Sequence, residues 1–294
     1  MDAGADAGVP CSSGCSGATP FCDVLSQTCV ECRNMIDCTN GAACDFVTHT
    51  CLAPPDAGTN DAGSNSDAVV YGHTASTLYK VNATTKQVTP VASFNNCFGD
   101  VIDLALDQYS RAFVTTQTGL YQLDLTTARC TEIHFSFTAS YPNSLSFVPQ
   151  GTIDPNFEVL VGYAGSSYMR INLTTGAMQQ IGTLGGGFVS SGDIVSVIDG
   201  GTYLTAKNPG SGSSADYLLE VNPTNGSLMR SFGTLPYNDV YGLAFWGGSL
   251  YGFSTGGTLF EITFNGSTTT SAPVPNAQSQ TWYGAGSTTA AKLR

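Results

Sequence analysis

Polar side chains recur just ahead of strand signals in the second part of the chain: Asp100 and Asp103, Asn143, Asp193, Asp239 and, near the end, Gln280. Oxygen donors that converge from several strand entries suit a hard cation, with calcium the ion such a ring would take, or else a polar ligand at the mouth of a channel. The competing reading is local. Asp and Asn cap turns through side-chain to backbone hydrogen bonds. Glycoside hydrolysis would need an acid and a base facing each other across a cleft. Asp103 and Asp107 flank one strand signal, whereas Glu132 falls in an outer strand and Glu220 and Glu261 share a repeated position. No catalytic residue is assigned. His49, His73 and His134 share no motif and are expected at the surface. The sequence holds no nucleophile elbow, HExxH or Walker loop, and Gly185-Gly186-Gly187 precedes no helix pattern. Tyr141, Tyr237 and Trp282 sit in polar lead-ins, where they are expected to be exposed as aromatic contacts for a sugar or a protein.

Cysteines carry the other chemistry. Cys11, Cys15, Cys22 and Cys29 form one quartet and Cys32, Cys38, Cys44 and Cys51 a second, each ending in Cys-Asp-x5-Cys. An even count in a short, core-poor segment reads as a disulfide framework formed in an oxidising compartment. Eight cysteines allow on the order of a hundred pairings, and spacing selects none of them. Zinc is the rival, through Cys29-x2-Cys32 with His49 nearby, but the second quartet has no such pair of its own. Cys97 and Cys130 remain, and are expected to bridge two neighbouring structural units.

The phrases Cys22-Asp23-x5-Cys29-Val30-Glu31-Cys32 and Asp37-Cys38-x2-Gly41-x2-Cys44-Asp45-x5-Cys51 resemble cysteine-rich repeats of secreted and surface proteins of myxobacteria and related bacteria. The resemblance implies export, often by a lipoprotein route with a lipid anchor upstream, and implies no activity. Residues 1–10 and 53–67, rich in Asp-Ala-Gly, read as solvated linkers flanking a disulfide-rich module at 11–52. Met1 directly before a linker suggests that a natural export signal has been removed.

The elements that must position these groups come from a repeat. Thr77–Thr85, Gly119–Thr127, Ser167–Gly176 and Tyr217–Gly226 carry one phrase: an alternating strand, then Asn or Asp, then Thr or Gly. A worn fifth copy covers Thr258–Gly266. The anchors Val81, Leu123, Ile171, Val221 and Ile262 give the 40–50-residue period of propeller blades. Each phrase is followed by one strand signal and preceded by two, except that the first copy lacks an innermost strand. The orphan segment Thr281–Gly286 supplies it, which would bury Trp282 and Tyr283 at the seam. The fold expected is all-β: a five-bladed β-propeller over 68–294, its C-terminal strand closing the N-terminal blade, behind a small disulfide-rich module. The four Asn-x-Ser/Thr sequons, at Asn82, Asn172, Asn225 and Asn265, all fall at turns of the phrase.

Composition agrees. Charged residues are 11% of 294 and glycines number 34, a profile that favours strands and turns over helices. Net charge is −12, of which −8 lies in residues 1–67. Ten scattered Lys and Arg cannot build a face for nucleic acid, and no apolar run is long enough to span a membrane. Five-bladed lectins of the tachylectin type are similar in blade number and size, with no shared sugar-site motif. The function expected is non-catalytic recognition or adhesion at the cell surface, toward a surface protein or a glycan. The alternatives are a glycan-active hydrolase and a structural part of a surface assembly.

Intact mass with and without reduction tests the compartment reading. The expected result is five disulfides, no free thiol and no zinc. Stoichiometric zinc, or free Cys97 and Cys130, would overturn it.

Overall fold

A computed structural model describes residues 10–23, 27–33, 37, 38, 42–45, 48–52, 69–275, 277 and 279–293. The chain divides into two compact units, Met1–Ala57 and Gly58–Arg294. The linker at 53–67 lies outside the described residues, as does all but Pro10 of the one at 1–10.

In the first unit each Cys-Asp-x5-Cys phrase is a hairpin. β1 (Phe21–Asp23) pairs with β2 (Thr28–Val30), placing Cys22 opposite Cys29, and β3 (Ala43–Cys44) pairs with β4 (Cys51–Leu52), placing Cys44 opposite Cys51. Gln27 and His49, equivalent positions of the repeat, both adopt positive φ (57° and 55°) to turn the chain. The disulfides are Cys11–Cys22, Cys15–Cys29, Cys32–Cys44 and Cys38–Cys51, so each quartet joins its first cysteine to its third and its second to its fourth. The cysteines opposite each other in a hairpin are not bonded together. Each is tied instead to the loop that precedes the hairpin. A segment this short buries too little apolar surface to hold itself, so these staples do the work of a core. The His49 ring hydrogen-bonds the Cys32 carbonyl at 3.1 Å.

The second unit is five four-stranded antiparallel sheets. Three strands open the first blade: β5 (Val69–His73), β6 (Thr77–Asn82) and β7 (Val88–Ser93). Blade two is β8 (Asp103–Leu106), β9 (Ala112–Thr115), β10 (Gly119–Leu123) and β11 (Cys130–Phe135). Blade three is β12 (Ser146–Val148), β13 (Val159–Ala164), β14 (Ser167–Ile171) and β15 (Met178–Thr183). Blade four is β16 (Val189–Ser196), β17 (Thr202–Lys207), β18 (Tyr217–Val221) and β19 (Leu228–Thr234). Blade five is β20 (Val240–Trp246), β21 (Ser249–Ser254), β22 (Leu259–Asn265) and β23 (Thr268–Pro273). The last strand, β24 (Gly284–Gly286), pairs with β5 and becomes the innermost strand of blade one. It is shorter than the expected 281–286, although the Tyr283 N–H still bonds the His73 carbonyl at 2.8 Å.

The seam packs as the closure requires. Trp282 is fully buried, edge-to-face with Tyr79 and with Phe253. Gly72 leaves room for those rings, since a Cβ there would strike Phe253. Tyr283 is partly exposed, so only one of the two seam aromatics is a core residue.

The repeated phrase has a second role beyond the hairpin. Asn82 Oδ1 accepts from the Thr84 and Thr85 N–H groups, and Asp124, Asn172 and Asn222 cap the equivalent turns. The capped turn then docks on the preceding blade. Tyr163 and Tyr168 of blade three donate to Gly226 O and Pro223 O in the blade-four turn, at 2.5 and 2.8 Å. Tyr251 of blade five donates to Ala83 O in the blade-one turn, and Lys86 from that turn reaches Glu261 at 2.8 Å. Asn95 at the end of blade one donates to Ala128 O in the blade-two turn. Cys97–Cys130 adds a covalent bridge between the same two blades. The worn fifth turn, Asn265-Gly266, is replaced in this task by an aromatic contact: Phe264 packs against Tyr203 and Phe232 of blade four.

Ending the chain at Pro275 removes β24 and everything after it. Losing a buried Trp and a row of backbone bonds costs several kcal/mol, a large part of the roughly 5–15 kcal/mol available to a domain. Thermal unfolding should lose its cooperative transition, while removal of residues 1–66 should leave the propeller transition in place. A chain ending at Pro275 that melts like the full propeller would refute the closure.

Candidate functional site

The strand-entry residues part company in the folded chain. Asp100 and Asn143 are exposed. Asp239 is half-buried in an ion pair with Lys207 at 2.5 Å, and takes a positive φ of 52°. Gln280 accepts from Tyr79 Oη at 3.2 Å. Only Asp103 and Asp193 meet, and they meet at the axis, fully buried.

Backbone irregularity puts Asp193 there. The register of β16 breaks between Ser190 and Ile194, and within the break the Asp193 N–H turns to Thr205 Oγ1 at 2.9 Å. The carboxylate accepts from Ile194 N and from Leu243 N of blade five, each at 2.7 Å, and from the Leu145 N–H of blade three. Asp103 accepts from Leu104 N at 2.8 Å and also from Leu145, and it hydrogen-bonds Asp193. Two carboxyls in hydrogen-bond contact must hold a proton between them. Burial pushes both well above the ordinary carboxylate range, and the charge of Asp193 raises Asp103 further. The contact raises Asp103 and lowers Asp193, so Asp103 is the acid that carries the proton and donates. This pair joins blades two to five through groups that an open cation site would leave free.

His73, expected at the surface, is fully buried beside this pair, because closure by β24 covers the end of β5. Its Nδ1–H donates to Thr74 O at 2.9 Å, leaving Nε2 without a partner. Burial lowers its pKa to about 4, so the ring is neutral. Gly284 passes between His73 Nε2 and Asp103 Oδ1, where a methyl group would collide with both.

The opposite end of the axis is covered by the chain's own tail. Beyond β24, Ser287 Oγ accepts from Phe245 N of blade five at 2.9 Å, and Thr288 Oγ1 donates to Asp107 O of blade two at 2.7 Å. Thr289 Oγ1 donates to Glu158 Oε1 of blade three at 2.5 Å, and Thr289 O accepts from Ile198 N of blade four at 2.8 Å. Lys292 O then accepts from Gly247 N of blade five. All these partners border the loops that join first to second strands, so the tail lies on the face away from the strand entries.

Of the three aromatics placed in lead-ins, Tyr141 and Trp282 are buried rather than exposed. Tyr141 uses its hydroxyl to hold Gly176 O at 2.9 Å, and the half-buried Tyr237 packs against Phe260 at 4.4 Å, its ring tilted by 39°. The exposed aromatic surface lies elsewhere. Phe98 and Phe137 are 58% and 79% exposed and share edge-to-face contacts with Phe135, at 4.9 Å and 4.8 Å between centroids. Phe135 ends β11, the outer edge strand of blade two, and Phe98 follows the bridged Cys97. The Phe98 N–H is fixed on Tyr121 Oη at 3.2 Å. Exposed carboxylates flank the cluster in sequence, Asp100 beside Phe98 and Glu132 on β11. The signal in the sequence was Phe135-Ser136-Phe137, one apolar alternation running past the end of an outer strand, where burial could not explain it.

Compared with protein-family profiles and with curated proteins, the sequence finds no match. Among solved structures, a chain of a nidogen/laminin complex is similar at 12% identity and TM-score 0.43, over 74% of this chain and 97% of that one. Hydrazine synthase of Kuenenia stuttgartiensis is similar at 10% identity and TM-score 0.39, over 74% and 66%. An oligogalacturonate lyase in complex with manganese is similar at 14% and 0.36, over 78% and 69%. At these values none of them identifies a family for this chain.

The two axial acids should respond differently to amide substitution. Asp103→Asn keeps a donor toward Asp193 and an acceptor for Leu104, so it should cost little. Asp193→Asn turns an amide N–H against a backbone N–H and should cost about 1–3 kcal/mol. The shared proton is bound in the folded chain and released by unfolded Asp above its ordinary 3.8. Its stabilisation is therefore complete below that pH and lost as pH rises through the folded value. Asp103→Asn should flatten this dependence in denaturant titrations. Equal cost for both variants would show that the carboxyl contact is misassigned.

Proposed function

We propose that this chain is a non-catalytic recognition module of an exported protein, displayed at a cell surface, that contacts a protein partner through Phe98, Phe135 and Phe137. The carrying observation is an exposed, mutually packed aromatic cluster held in place by a disulfide and an edge strand. Contiguous exposed apolar patches on a folded domain mark interaction sites. Five disulfides suit an oxidising, extracellular setting, and no helix among the described residues is long and apolar enough to cross a membrane.

The chemistry favours protein over glycan. Sugars stack on a flat aromatic face with hydrogen-bonding groups at its margin. Here the rings stand edge-to-face, at 72° and 81°, and carry no hydroxyl. Such a cluster accepts an apolar side chain, and the edge of β11 beyond Cys130, whose own N–H is taken by Asn95 O, accepts an extended backbone beside it. Asp100 and Glu132 add a negative margin that suits Lys or Arg in the partner segment. The axis supports the non-catalytic reading: the acids that come together are buried and committed to backbone N–H groups, whereas glycoside hydrolysis needs its carboxyls on a cleft.

An array of extended peptides, probed with the full chain and with a Phe98→Ser/Phe137→Ser variant, tests this. Bound peptides should pair an apolar residue with a nearby Lys or Arg, and the variant should bind about tenfold more weakly or worse, at an unchanged melting temperature. Binding to a glycan array that survives in the variant would overturn the assignment.

A further inference from the structure

Residues 287–293 cross one end of the propeller axis and exchange hydrogen bonds with blades two, three, four and five. Their contact with blade three is made to a buried carboxyl, Glu158. Glu158 Oε1 takes the Thr289 hydroxyl and Oε2 takes the Gln108 N–H at 2.7 Å. The groups that face it from the β8–β9 loop are Asp107, Tyr109 and Arg111. Asp107 and Arg111 form a buried ion pair with each other, bonded through Arg111 Nε at 2.6 Å, so the guanidinium is already engaged. Glu158 therefore sits under the tail with two neutral donors and no cation of its own.

We propose that the tail is a plug whose seating is set by protonation of Glu158, tight in mild acid and loosened as the medium turns neutral to alkaline. When the tail is seated, Glu158 is cut off from water, and holding it there as an anion opposes docking. When the tail lifts, water reaches the carboxyl and the opposition disappears. The titration follows this geometry. Burial is the main cause that raises the seated Glu158 from 4.5 to about 7; Asp107 adds to the rise, while Thr289, Gln108 and Arg111 act against it. The sign is that of a raised acid. The bound proton favours the seated tail fully below 4.5, and that advantage is lost as pH climbs through about 7. Seating should weaken about tenfold between pH 6 and pH 8.

Two amides report on seating alone, because their acceptors lie in the tail: Ile198 N–H on Thr289 O, and Gly247 N–H on Lys292 O. Hydrogen exchange of the full chain, corrected for intrinsic base catalysis, should show their protection falling about tenfold from pH 6 to pH 8. An amide that touches neither the tail nor the axial acids, such as Leu228 N–H on Leu184 O, should not follow that change. In Glu158→Gln the two reporters should be flat over the same range. Protection that is flat in the native chain, or equally steep in both chains, would overturn the proposal. An NMR titration of the Glu158 carboxyl carbon, which needs no variant, must share its midpoint with the loss of protection. Separate midpoints would refute the coupling.

Discussion

The structure depends on what happens to the inner edge of each sheet. A propeller brings its innermost strands around an axis too narrow for another strand, and the N–H groups that face the axis would be stranded there without acceptors. Asp193 and Asp103 resolve this. Between them they take N–H groups from Leu104, Leu145, Ile194 and Leu243, on four different blades. One shared proton keeps two carboxyls from being two buried charges. Gly284 lets the last strand pass close to this pair, and the register break in β16 delivers Asp193 to it. Small adjustments of backbone are thus organised around two acceptors at the centre.

The rim is held by a different device. Capped Asx turns, buried tyrosine hydroxyls and one disulfide lock each outer turn to the blade before it. The strand-three to strand-four pairings of blades one to four carry a register shift in the repeated phrase, after Leu78, Leu120, Tyr168 and Leu218. Such bulges increase local twist, which turns the outer strand toward its neighbour. In blade five that outer pairing, β22 with β23, runs in continuous register and the turn is worn, and it is there that Phe264 replaces the polar latch. Sequence degeneration in that copy matches a change of mechanism.

The ring, its blade number and its closure were legible because they rest on period, alternation and turn chemistry, which act locally. Duplicated Cys-Asp-x5-Cys phrases likewise announced two equivalent disulfide units, but neither their hairpins nor which cysteine bonds which, since pairing depends on where the preceding loop returns. Asp103 and Asp193 were visible as candidates, yet nothing in the chain distinguishes them from Asp100 or Asn143; the difference lies in distance from the axis. Polarity of its lead-in misplaced Tyr141, whose hydroxyl holds a turn of the next blade, and His73 is buried by the arrival of β24; Trp282 was legible only through the seam it closes. Ser287, Thr288 and Thr289 look like an unremarkable polar end, and become contacts only when four blades converge beneath them. Chemistry that arises from convergence of distant segments leaves little trace in any one of them.

Closure by β24 also orders events in time. Blade one needs Gly284–Gly286, so three of its strands are made near the start of the propeller and the fourth near its end. Until those last residues emerge from the ribosome, β5 has an open edge, His73 is uncovered and the axial acids have no complete ring around them. Loop closure across more than two hundred residues is slow compared with hairpin formation. The ring therefore stays open, as a set of hairpins and incomplete sheets, until Gly284–Gly286 have been made.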